Sequence, residues 1–155
     1  EEVVILDGFG MFVCKDVWSL YPFDEELLTG FHCYDLDFSM QIAASRQYKN
    51  YVCCSPKVLV EHFSLGKYNR SWCQDTIRLH KLKWNKLLPL KVDGLELSKK
   101  KERKFEERYF DYFVRDLIKA DYPEKKTALK DFLAYPFSWK HLRHCVSNVY
   151  RYLKS

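Results

Sequence analysis

Two carboxylates one residue apart, Asp35 and Asp37, lie inside the run Phe31-His32-Cys33-Tyr34-Asp35-Leu36-Asp37-Phe38. Burying charge among rings is costly without a compensating partner, so the pair asks for a chemical reason. An ionised carboxylate can take a proton from a hydroxyl as a general base. It can also share a divalent cation with oxygen and imidazole ligands. His62 follows downstream, and Lys67, Tyr68 and Arg70 after it suit either a phosphate or plain solvent. Upstream, Asp7-Gly8 has the composition of a turn, and Phe23-Asp24-Glu25-Glu26 is an acidic loop. Three readings stand on the residues. The acids serve an enzyme that needs a base. Alternatively, Asp35, Asp37 and His62 form a small metal-dependent hydrolase. Otherwise the acids are helix caps in a non-catalytic interaction module.

Elements must hold these side chains. Glu2–Leu6 and Phe9–Cys14 read as strands, the first a continuous apolar run of the kind covered on both faces. Lys15–Leu20 suits a short helix, ended by Tyr21-Pro22. From Tyr34 to about Tyr48, Leu36, Met40, Ala43 and Ala44 recur at helical spacing. Asp35 and Asp37 open that helix, where its dipole favours negative charge. Tyr51–Cys54 and Lys57–Val60 read as a strand pair around Ser55-Pro56. The later chain is helical: about 71–88 (stopped by Pro89), 98–120, 123–134 and 138–153. The expected fold is α/β over residues 1–70, a mixed sheet with helices, followed by an all-α extension over residues 71–155.

The bulk numbers agree with a packed protein. Of 155 residues 47% are hydrophobic and 17% aromatic, too apolar for a disordered chain. No apolar run approaches the roughly 18 residues of a membrane span. The opening Glu1-Glu2 and the missing initiator Met suggest a piece of a longer protein rather than a signal peptide. The six cysteines form no CxxC pair, which fits free, buried thiols in a reducing compartment, the cytoplasm. A zinc site from Cys53, Cys54, His62 and Cys73 has no familiar spacing. Charge divides sharply: residues 1–66 carry four Lys/Arg against ten Asp/Glu, and residues 67–155 carry 22 against 11.

The order apolar strand, Asp-Gly, apolar strand, FDEELLTGFHCYDLDFSMQ, strand, VEHFSLGKY resembles the C-terminal half of a family 2 glycosyltransferase catalytic domain of the GT-A fold. Phe23-Asp24-Glu25 matches the family's acidic loop. Tyr34-Asp35-Leu36-Asp37 matches its acidic helix-start motif, with Tyr where the family usually has Glu. Val60-Glu61-His62 matches the downstream strand end. The resemblance covers roughly residues 3–70. It implies inverting transfer of a sugar, a hexose type, from a nucleotide-sugar donor to a sugar or lipid-linked acceptor, as in polysaccharide biosynthesis. It makes Asp35 the general base and His62 a metal or diphosphate ligand. Asp7, Tyr34 and Asp37 become acceptor-side residues, with Asp37 orienting the loop or capping the helix, and Lys67 and Arg70 become phosphate clamps. Asp35-Leu36-Asp37 also spells the donor-side metal motif, but that motif follows a long apolar strand, whereas here a loop precedes it. The resemblance further implies Mn2+ or Mg2+ in the full-length enzyme and none in this segment. The nucleotide-binding half belongs before Glu1, so the segment alone is expected to be inactive, with exposed sheet edges that favour self-association.

The basic rear adds an alternative: interaction instead of catalysis. In the last helix Trp139, Leu142, Val146, Val149, Tyr150 and Leu153 share a face, with Lys and Arg largely elsewhere. Such a helix can lie on the inner face of a membrane, or pack its stripe on the 98–120 helix. Nucleic acid is not the expected partner, since Glu102, Glu106, Glu107, Asp111 and Asp116 dilute the basic run at intrahelical pairing distances.

Overall fold

The computed structural model describes residues 1–58, 60, 61, 63, 69–135 and 139–155. In chain order the elements are β1 (Glu2–Val3), α1 (Lys15–Leu20), α2 (Tyr34–Ser45), β2 (Asn50–Tyr51), α3 (Arg70–Leu82), α4 (Lys99–Lys119), α5 (Lys125–Leu133) and α6 (Trp139–Lys154), with a 3-10 turn at Trp84–Lys86. The described chain is mostly helical. It falls into two compact units, one of residues 1–67 and 74–95, the other of 68–73 and 96–155. Residues 74–95, expected in the helical extension, belong with the first unit, and the longer segment of the second unit begins at residue 96.

The sheet is smaller than the sequence suggests. Among the described residues it is one antiparallel pair, Glu2 opposite Tyr51 and Val3 opposite Asn50, not a mixed sheet. Residues 5–7 have no strand partner, Val4 is a bend and Gly8 lies in a turn. Phe9–Cys14 is irregular, and Lys57 and Val58 form no ladder; Leu59 of that expected strand lies outside the described residues. A strand needs a neighbour for its amides, and β-rich composition alone cannot provide one. Ile5, Phe9, Phe12, Val13, Val52, Val58 and Val60 are correspondingly exposed.

The first unit is organised by α2. Phe38 and Ile42 pack with Val17 of α1, and Met11, Tyr21, Phe23 and Tyr48 close around them. Phe23 meets Trp18, Tyr34 and Phe38 edge-on at centroid distances of 4.7–5.7 Å, geometry that aromatic quadrupoles favour. The α2 helix ends at Ser45, short of the expected Tyr48, with Arg46 in the left-handed region at φ 56°.

The second unit packs α4, α5 and α6 around Val114, Ile118, Leu129, Phe132 and Cys145. Ser98, expected as the first residue of the helix, instead caps α4 by accepting the Lys101 amide. The packed faces differ from the stripes that helical spacing indicates. On α4 that stripe is Phe105, Tyr109, Tyr112, Phe113, Asp116 and Leu117; of these only Leu117 is buried. On α4, Glu107, Asp111, Val114, Leu117 and Ile118 are buried, while Phe105, Tyr109 and Tyr112 are exposed. On α6, the buried residues are His141, Cys145 and Asn148. The cause is a polar network in the interior. Asp111 accepts from Asn148 Nδ2 at 2.9 Å and pairs with Arg115 at 2.7 Å, with His144 Nδ1 3.6 Å away. Hydrophobic patterning does not register charges that satisfy one another.

Candidate active site

An extended segment and one turn of helix build the site. The Leu6 amide donates to Ser39 Oγ at 3.1 Å, and the Gly8 amide donates to Asp35 Oδ2 at 2.8 Å. Residues 6 and 8 of an extended chain stand about 6.6 Å apart, and residues 35 and 39 of a helix about 6 Å. The two spacings match, so alternate amides meet successive turns. Ser39 also donates to the Asp35 carbonyl at 2.7 Å, and Asn50 Nδ2 ties the Val4 and Ser39 carbonyls together at 2.9 and 2.8 Å. These bonds carry the Asp7-Gly8 turn onto the start of α2.

Asp35 is half-buried, with Oδ1 accepting the Leu36 amide at 2.9 Å. Each oxygen thus has one backbone donor and keeps a lone pair for another partner. Tyr34 stands beside it. Burial, with the charges of Asp35 and Asp7, pushes the Tyr34 hydroxyl above its ordinary range. Gly8 is required by contact: a Cβ there would lie 2.5 Å from Tyr34 Oη and 3.1 Å from Asp35 Oδ2. Cys33, the residue before α2, sits at φ 66°, a left-handed conformation that costs a β-carbon-bearing residue on the order of 1 kcal/mol. Its buried thiol is held by Thr76 Oγ1 at 3.3 Å.

Asp37 has a different environment. It is 1% exposed, and its two oxygens accept from Lys83 Nζ (2.8 Å), Gln41 Nε2 (2.9 Å) and Trp84 Nε1 (2.9 Å). Lys83 also reaches Asp24 Oδ2 at 2.9 Å. Burial works against the Lys83 cation, but Asp37 and Asp24 outweigh it and raise its pKa. For Asp24 burial is again outweighed, by Lys83 and the Leu27 amide, and its pKa is lowered. Here is the compensation that a carboxylate among rings requires.

The structure therefore brings Asp7, Tyr34 and Asp35 together and turns Asp37 away to Lys83. Arg70 belongs to the second unit, its guanidinium 6.0 Å from the Tyr122 ring centroid. His62 and Lys67 lie outside the described residues. Sequence reasoning missed Lys83 and Trp84, which no local spacing marks. It also missed Asp75, 6% exposed, whose Oδ2 has no hydrogen-bond partner and whose pKa burial raises against the pull of His32 and Arg78. Among the described residues no three His, Cys, Asp or Glu side chains come together as a cation site. All six cysteines are free; Cys33, Cys73 and Cys145 are buried, but Cys14, Cys53 and Cys54 are exposed, contrary to the expectation for buried thiols. No described helix is long and apolar enough to cross a membrane. Comparison with known protein families, with curated proteins and with solved structures found no significant match.

Proposed function

We propose that the first unit is the acceptor-side part of an inverting, nucleotide-sugar-dependent glycosyltransferase of GT-A type, with Asp35 as its general base. One observation carries this reading: the Asp7-Gly8 turn is bonded onto Asp35 at the half-exposed start of α2, with Tyr34 alongside. Distant acidic segments converge where an acceptor hydroxyl could be approached. Asp35 takes the hydroxyl proton on a free lone pair as the oxygen attacks the sugar carbon. Its two amide donors fix the carboxylate orientation, so little reorganisation accompanies the transfer. Tyr34 and Asp7 orient the acceptor. Asp37, engaged by Lys83 and Trp84, holds the helix start in place.

The apolar residues exposed along 5–13 and 52–60 also favour this reading, because the rest of a GT-A sheet would cover them. A divalent cation, when bound, would stabilise the departing diphosphate. The described residues offer it no cradle of their own, so its ligands are sought in the donor half and at His62. The test is Asp35→Asn in the protein carrying both halves, following sugar transfer with donor hydrolysis as the control. Transfer is expected to fall by about 10²- to 10⁴-fold with folding intact. Undiminished transfer removes Asp35 from the role.

A further inference from the structure

The apolar stripe of α6 does not enter the bundle. Leu142, Val146, Tyr150 and Leu153 are 41%, 64%, 57% and 78% exposed. Their spacing of four, four and three residues keeps them on one line of the helix. Trp139, 79% exposed, falls on the same line. With Leu133 of α5 and Val149, the stripe borders a groove of about 430 Å3. Helices normally turn such a face inward, and α6 has turned His141 and Asn148 inward instead.

The charges on α6 indicate what covers the stripe. Its 16 residues contain Lys140, Arg143, Arg151 and Lys154 and no acidic side chain. At about 100° per residue, all four basic residues fall on one flank of the stripe, and the opposite flank is the packed one. We propose that this face of α6 docks on an anionic membrane surface. The apolar line enters the headgroup boundary while the basic flank meets lipid phosphates. A second copy of the chain suits the face poorly. Antiparallel two-fold pairing of α6 would set the two basic flanks side by side. An uncharged partner would leave the flank of four cations without a counterpart. A helix of 16 residues, about 24 Å long, lies along such a surface. The inference stands independently of the role given to Asp35.

The test uses the whole 155-residue chain and vesicles of phosphatidylcholine, with and without phosphatidylglycerol. Sedimentation with the anionic vesicles alone is expected, weakening steeply as salt rises. Arg143→Ala and Lys154→Ala should each weaken partitioning about fivefold. Val146→Asp and Leu153→Asp change exposed positions, so the melting curve should stay unchanged while vesicle binding is lost. Three outcomes overturn the proposal: wild-type chain remaining in the supernatant, Asp variants that bind as well as wild type, and a concentration-dependent dimer that Val146→Asp dissociates, which would assign the face to a second copy.

Discussion

Replacing Asp37 by Asn tests whether the second carboxylate of the pair is structural. The change keeps shape and removes charge. An Asn can present its oxygen to Lys83 and Gln41 only by turning its NH2 onto the Trp84 N–H, donor against donor. Turned the other way, the NH2 faces the two nitrogens. Either orientation strands at least one buried donor, at about 1–3 kcal/mol. Breaking a buried ion pair costs about 3–5 kcal/mol, a figure that already includes the stranded donor. Lys83 keeps Asp24 at 2.9 Å, which holds the total near the lower end, about 3 kcal/mol. At about 4–8 °C per kcal/mol for a unit of this size, melting should fall by about 12–24 °C. Two units need not unfold together, so the readout is amide exchange in α2, with α4 as the internal reference. Protection in α2 should drop while α4 holds. The double variant with Lys83→Met should cost less than the sum of its single changes, because each removes the other's partner. If Asp37→Asn costs no more than Asp35→Asn, the structural assignment of Asp37 is wrong.

Two further perturbations address the same unit. Stability against pH should reflect three groups. The lowered Asp24 contributes stability present above its ordinary value of 3.8 and lost as pH falls through its folded pKa. The raised Lys83 contributes stability fully present below 10.5 and lost as pH rises through its own. Raised Asp75 acts oppositely at the acid end, costing stability as pH climbs above 3.8. Melts across pH should therefore show Asp75→Asn gaining over wild type above the carboxylate range and not below it; a gain that ignores pH would contradict the assignment. Gly8→Ala forces Tyr34 aside, and Phe23 and Phe31 pack edge-on against that ring at 5.4 and 5.9 Å. Overpacking of this kind costs about 1–3 kcal/mol, and Tyr34→Phe should recover part of it in thermal melts. No recovery would mean that the clash lies elsewhere.

The sequence made the helices legible and left the sheet and the packed faces obscure, for physical reasons. Proline positions and apolar spacing are local signals, and α2, α4, α5 and α6 fall within a few residues of where those signals put them. Strands depend on partners far along the chain. Residues 9–14 have strand composition and no ladder. Periodicity chose the wrong faces for α4 and α6 because it treats Asp111, Asn148 and His141 as outward residues, whereas Asp111 and Asn148 are mutually bonded inside. The convergence of Asp35, Tyr34 and Asp7 followed from motif order. A structural part for Asp37 was also expected, but its partner Lys83, 46 residues further on, was not.

The two amides that meet α2 have a consequence for the chain's ability to slip. Ser39 gives its proton to the Asp35 carbonyl and the Asp35 carboxylate has none to give, so both side chains are left to accept from N–H groups, and in an extended chain every second residue presents its N–H to the same side. Sliding residues 4–8 by one position would set carbonyl oxygens against Asp35 and Ser39, two acceptors facing two acceptors. The segment that follows β1 is therefore indexed by polarity. Apolar residues such as Ile5 can vary freely in kind, while Ser39 acts as the stop that decides which residue arrives beside the carboxylate.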